Sequence, residues 1–151
     1  MEQTVRELAL RKTIEVGAPP ERAFRLFTDG MAQWWPLATH SVGEERAETV
    51  VFEPGEGGRI LERTLDGEEH LWGTVTAWEP PGRVVFTWHP GRTADTGQEV
   101  EVTFEPTERG TRVELVHTGW EHLGDRAAAT YANYDRGWDP VFERFGAAAT
   151  G

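Results

Sequence analysis

Between residues 54 and 110 the chain is cut by turn-forming clusters spaced too closely for a crossover helix to fit between them. These are Pro54-Gly55-Glu56-Gly57-Gly58, Asp66-Gly67, Pro80-Pro81-Gly82, Pro90-Gly91 to Gly97, and Pro106 to Gly110. Parallel strands need a connection of a dozen or more residues, so a parallel sheet is disfavoured and an antiparallel meander follows. The runs between the clusters predict strands over 47–53, 58–65, 69–79, 83–89, 98–105 and 111–118. Val100, Val102 and Phe104 interleave with Glu99, Glu101, Thr103 and Glu105, so one face of the sheet is expected to meet water.

The ends of the chain follow other periods. Leu8, Leu10, Lys12, Ile14 and Val16 share one phase and predict a first strand over 8–16. Pro20 opens a short helix carrying Ala23, Phe24, Leu26 and Phe27, which leaves at Asp29-Gly30, and Met31–Trp35 adds a further turn. The segment Leu37–Glu45 has no period and is expected to be a mobile gate. From Asp125 to Phe145, Tyr131, Tyr134, Trp138, Val141, Phe142 and Phe145 recur at steps of three and four, which predicts an amphipathic helix. Pro140 is expected to bend or split it near Gly137–Asp139. Fraying is expected at about 1–6 and 147–151.

With 151 residues, one domain spanning 1–151 is expected. Fifteen basic side chains against 26 acidic ones give a net charge of −11, which works against nucleic acid as a partner, because phosphate binding needs clustered Lys and Arg. Apolar runs are only a few residues long, far short of the roughly 20 needed to cross a bilayer. The first residues carry neither a basic start nor an apolar core of a secretory signal, so the expected location is cytoplasmic. The absence of Cys removes disulfides, thiolate nucleophiles and Cys-type zinc sites. Lys12 is the only lysine and Ser41 the only serine. Ser41 lacks the first glycine of a nucleophile elbow, and Gly55-Glu56-Gly57-Gly58 precedes no helix that would hold a phosphate. His117 and His122 form no recognised metal-ligand spacing. Neither a metal nor a cofactor is expected.

Several local motifs occur in a telling order: Trp34-Trp35-Pro36, Gly57-Gly58-Arg59-Ile60-Leu61-Glu62, Gly73-Thr74-Val75 running to Trp78-Glu79-Pro80-Pro81, Val85-Phe86-Thr87-Trp88, His117-Thr118-Gly119-Trp120 and Gly137-Trp138. Over residues 8–146 the chain resembles the START-like (SRPBCC) superfamily, in the branch similar to the C-terminal domain of activators of the heat-shock protein 90 ATPase. The resemblance implies an α+β helix-grip fold, with a curved antiparallel sheet of about seven strands around a long C-terminal helix. It implies three classes of function: carrier of an apolar ligand, cyclase, and chaperone-associated module. Small bacterial members lack the extra N-terminal domain of the eukaryotic co-chaperones, and none is expected here.

Strand alternation places Val50, Phe52, Ile60, Glu62, Trp72, Thr74, Phe86, Trp88, Val102, Phe104, Leu115 and His117 on the inner face, subject to bulges. A sheet wrapped round one helix favours a cavity, and ligand cavities measure about 300–1,000 Å³. The expected wall comprises Phe27, Trp34, Trp35, Phe52, Trp72, Thr74, Phe86 and Trp88, with Tyr131, Tyr134 and Trp138 from the helix. Glu62 and His117 share a phase with apolar neighbours and therefore need partners. They are candidates for a polar handle or an acid–base pair, against the alternative of a structural hydrogen bond. His40 and His70 are expected to be exposed. The leading expectation is a binder of a small or medium apolar molecule. A cyclase or dehydratase using Glu62 and His117 is the alternative, with a chaperone-type protein partner as a third; homodimerisation is left open.

Overall fold

The computed structural model describes residues 9–37, 39–89 and 97–150. The expected fraying at 1–6 lies outside them. Seven strands form one antiparallel sheet: β1 (Leu10–Val16), β2 (Ala47–Phe52), β3 (Arg59–Thr64), β4 (Glu69–Glu79), β5 (Arg83–Thr87), β6 (Glu99–Thr107) and β7 (Gly110–Thr118). Their order is β1-β7-β6-β5-β4-β3-β2. The last six make the meander expected from the turn clusters. β1 joins the far side by pairing with β7, from Leu10 opposite His117 to Val16 opposite Thr111.

Helix α1 (Pro20–Phe27) begins with Pro at its first position, where a missing N–H costs nothing. A 3₁₀ turn follows at Met31–Gln33, and a second at Glu44–Arg46 leads into β2. After β7, a 3₁₀ stretch over Trp120–Arg126 turns the chain into α2 (Ala127–Thr150), which lies in the concave side of the sheet. The core joins Phe24 and Phe27 of α1, the inward residues of every strand, and Trp138, Val141, Phe142 and Phe145 of α2. Such an aromatic-rich core draws its stability chiefly from apolar area removed from water. Lys12 adds a polar clasp: its Nζ lies 2.7 Å from Asp135 and 2.9 Å from Asp139, tying β1 to α2. Desolvation works against its charge, but the hydrogen bonds it donates to both carboxylates, with their charge attraction, outweigh it and raise its pKa.

Three expectations are corrected. Helix α2 is continuous through Pro140 rather than split. The ring removes the hydrogen bond to the carbonyl four residues back, on Arg136, yet both residues are exposed, so water can satisfy that carbonyl while the buried face holds the helix together. The helix also runs on to Thr150 with Ala149 buried, where fraying had been expected from 147. Finally, Thr74 is only half-buried, because the β3–β4 register shifts next to Ile60 and the inner position passes from Trp72 to Val75. At this bulge Gly73 is required: a Cβ there would lie 1.8 Å from the Thr87 carbonyl oxygen.

Candidate ligand cavity

A cavity of about 480 Å³ opens between the 39–42 segment, the residue after β5 and the inner face of α2. Its deep wall is aromatic, made by Trp35, Trp88, Tyr134 and Trp138, with Val141 beside them. Trp35 packs against Trp88 at 5.8 Å and Trp138 at 6.1 Å between ring centroids, and Trp88 meets Trp138 at 5.3 Å. Thr39, His40 and Ser41 form one polar rim, and Thr130 and Asn133 of α2 form the other. Among the described residues, no Asp, Glu, Lys or Arg lines it. Two buried polar atoms on lining residues have no hydrogen-bond partner among the described residues: Ser41 Oγ and Trp88 Nε1.

The 37–45 segment, expected as a mobile gate, is tied to the rest of the site at His40, Val42 and Gly43. The Trp35 indole N–H donates to the His40 carbonyl at 3.0 Å. The backbone N–H groups of Val42 and Gly43 donate to the two oxygens of Glu62 at 2.7 and 2.6 Å. His40 is half-buried on the cavity rim rather than exposed. Thr39 Oγ1 lies 2.8 Å from its Nδ1, and its ring also bonds to the Gly137 backbone of α2. Burial lowers the His40 pKa, only partly offset by that bond, so the ring is neutral at pH 7. Nothing in the sequence marked His40, because it sits in the one stretch with no period.

The residues expected at the site divide sharply. Trp35, Trp88, Tyr134 and Trp138 line the cavity. Phe27 and Trp34 instead pack with Phe145 between the two helices. Phe52 and Phe86 meet edge to face at 5.6 Å under the sheet. Tyr131 packs on Trp120, and Thr74 donates its N–H to Thr87 Oγ1. Phe27, Trp34, Phe52 and Phe86 fill the core, while Tyr131 and Thr74 are half-buried away from the cavity.

Glu62 and His117 do not share a pocket, and neither lines the cavity. They lie on β3 and β7, with β4, β5 and β6 between them. Trp138 Nε1, which can only donate, lies 3.1 Å from His117 Nδ1, so that nitrogen is the acceptor. The ring proton therefore sits on Nε2 and is donated to Gln98 Oε1 at 2.7 Å, while the Gln98 amide donates to the Gly119 carbonyl. Burial pushes the His117 pKa down to about 3. Glu62 is fully buried, and its oxygens are occupied by three donors: the two backbone N–H groups and Trp72 Nε1 at 3.0 Å. Both groups are structurally committed, and the acid–base pair expected from their shared phase is not assembled.

Gly137 sits mid-helix on the cavity wall, where an added Cβ would meet nothing within 4 Å. Gly137→Ala is therefore expected to stabilise the protein by about 1 kcal/mol through helix propensity. Urea unfolding measures this, and a destabilised variant would show that the site has no room for a methyl group.

A curved antiparallel sheet gripping a C-terminal helix, with a cavity between them, defines a START-like domain. The family model for Activator of Hsp90 ATPase homolog 1-like protein matches residues 17–149, and the chain belongs to that family. Solved structures agree on the fold. The Bacillus halodurans protein BH1534 is 24% identical with a TM-score of 0.69, over 97% of this chain and 99% of that one. An AHSA1-like protein from Aeromonas hydrophila is 20% identical with a TM-score of 0.64, over 92% and 90%. The anthrahydroquino-gamma-pyrone synthase Txn09, solved in complex with SUM, is 35% identical with a TM-score of 0.63, over 91% and 94%. No curated protein is detectably similar to the chain. No helix among the described residues is long and apolar enough to cross a membrane.

Proposed function

We propose that this protein binds a neutral, flat aromatic molecule carrying ketone or hydroxyl oxygens in the cavity between the 39–42 segment and α2. The observation that carries this reading is the wall itself: among the described residues it has three Trp and one Tyr, no charged side chain, and polar atoms on Ser41 and Trp88 without a hydrogen-bond partner. Indole and phenol rings favour a flat partner by offset or edge-to-face packing. Leaving a buried donor unmade costs about 1–3 kcal/mol, which a ligand oxygen would recover. An anion would lose its hydration with no cation among the described lining residues to replace it. The volume falls within the roughly 300–1,000 Å³ of small-molecule sites.

A second reading is cyclisation of such a molecule, favoured by the 35% identity to Txn09 over nearly the whole chain. In that reading proton transfer falls to His40, the titratable imidazole in the lining, which is neutral at pH 7 and able to accept a proton once Thr39 releases Nδ1.

The test is a titration with 1-hydroxyanthraquinone followed by Trp emission. Saturable one-to-one quenching is expected, with anthraquinone-2-sulfonate at least about tenfold weaker because a desolvated sulfonate has no partner. Absence of saturable binding by either compound would overturn the reading, and equal affinity for both would remove the preference for neutral ligands.

A further inference from the structure

Glu62 presents an unusual arrangement for a carboxylate. It is fully buried, and no ion pair involves it among the described residues, yet three N–H donors converge on its two oxygens. Those donors come from two different sides of the cavity. Val42 lines the cavity directly, next to Ser41. Trp72 stands one layer behind, packing against the lining rings of Trp35 at 5.0 Å and Trp88 at 5.7 Å. The carboxylate thus sits outside the cavity and bridges its polar rim to its aromatic wall.

The chain is shaped to permit this contact. A Cβ on Gly43 would lie 2.8 Å from Glu62 Oε2 and 2.8 Å from Thr64 Cγ2. Gly43 has φ −80 and ψ −4, a backbone conformation that any residue adopts, so the glycine serves close approach and not backbone freedom. Hydrogen bonds to an ionised acceptor are roughly twice as strong as neutral ones, and the two from the strap are short.

We propose that Glu62 is a positioning residue for the cavity. Its carboxylate holds the 41–43 strap and the Trp72-backed Trp35–Trp88 wall at the separation a flat ligand needs, and it acts only through them. This rests on the ligand-binding reading above.

Two variants test it. Glu62→Gln replaces one acceptor oxygen by an NH₂ group, setting donor against donor at the strap. Gly43→Ala leaves the carboxylate in place and pushes the strap off it. In both, amide hydrogen exchange over residues 41–46 is expected to accelerate while β6, β7 and α2 keep their protection. Affinity for 1-hydroxyanthraquinone is expected to fall at least about tenfold, mainly through faster dissociation, under conditions where both variants are fully folded by circular dichroism. Should Glu62→Gln fail to fold, Gly43→Ala carries the test alone. Unchanged exchange over 41–46 would overturn the proposal whatever the probe does. Faster exchange with wild-type affinity would overturn it as well, leaving Glu62 a purely structural anchor. Failure of the wild-type protein to bind the probe would instead strike the ligand-binding reading, and the exchange data would still decide whether Glu62 holds the strap.

Discussion

Acidification from about pH 6.5 towards pH 3 is expected to destabilise the protein through His117 alone by about 1.4 kcal/mol per pH unit. In the native state this imidazole is buried and neutral, with its pKa pushed down to about 3, while in the unfolded chain it titrates near its ordinary value of 6.5. Between those values the unfolded state holds a proton that the native state refuses, so stability falls as pH falls; above pH 6.5 the group makes no difference. Carboxylates titrate in part of the same window, and the comparison that isolates His117 is with His117→Phe. The variant should be weaker at pH 7 by about 2–4 kcal/mol, because Trp138 Nε1 and Gln98 Oε1 both lose a buried partner. Its stability should then decline less steeply with acid. Urea unfolding at pH 7, 5 and 4 measures both slopes; parallel curves would show that His117 is not held neutral.

Trp138→Ala is expected to cost about 3–5 kcal/mol, the range for deleting a large buried aromatic. The ring is 3% exposed and touches Trp35, Trp88 and Tyr134, while its N–H fixes the His117 tautomer. Removing it merges the vacated space with the cavity and strips away one aromatic wall, so binding of 1-hydroxyanthraquinone should weaken by at least about tenfold as well. Trp138→Phe keeps most of the packing and loses the hydrogen bond, and about 1–3 kcal/mol is expected from leaving His117 Nδ1 without a donor. Denaturant unfolding and the quenching titration read the two effects separately. A cost below about 1 kcal/mol for the alanine variant would mean that the hub can collapse without Trp138.

Much of the fold was legible because its punctuation is local. Pro and Gly between short alternating runs state where hairpins turn, and the observed strands differ from the expected ones by only a residue or two at most ends. Pro140 misled because its local penalty is real, while the packing of Trp138, Val141, Phe142 and Phe145 that overrides it is tertiary. Thr74 misled because a bulge shifts the phase without altering composition. The site was legible only in part. Alternation identified Glu62 and His117 as buried polar groups in need of partners, but it relates a residue only to its own strand. It could not show that two of the three partners of Glu62 come from the backbone of a loop some 20 residues earlier, or that Gln98 and Trp138 hold His117 between a strand and a helix. His40 was misplaced because its ring bonds to the backbone of Gly137, almost a hundred residues away.

The clasp between β1 and α2 makes this chain a self-labelled object. Lys12 carries the only side-chain amine in the sequence and lies between Asp135 and Asp139 across the joint where the first strand meets the last helix. Reductive methylation with ¹³C formaldehyde preserves its charge and places a single side-chain reporter at that joint, distinguishable from the chain's α-amino group by its higher pKa. Any event that loosens the helix from the sheet, from denaturant to a ligand entering the cavity on the same helix, becomes readable from one resonance without further engineering.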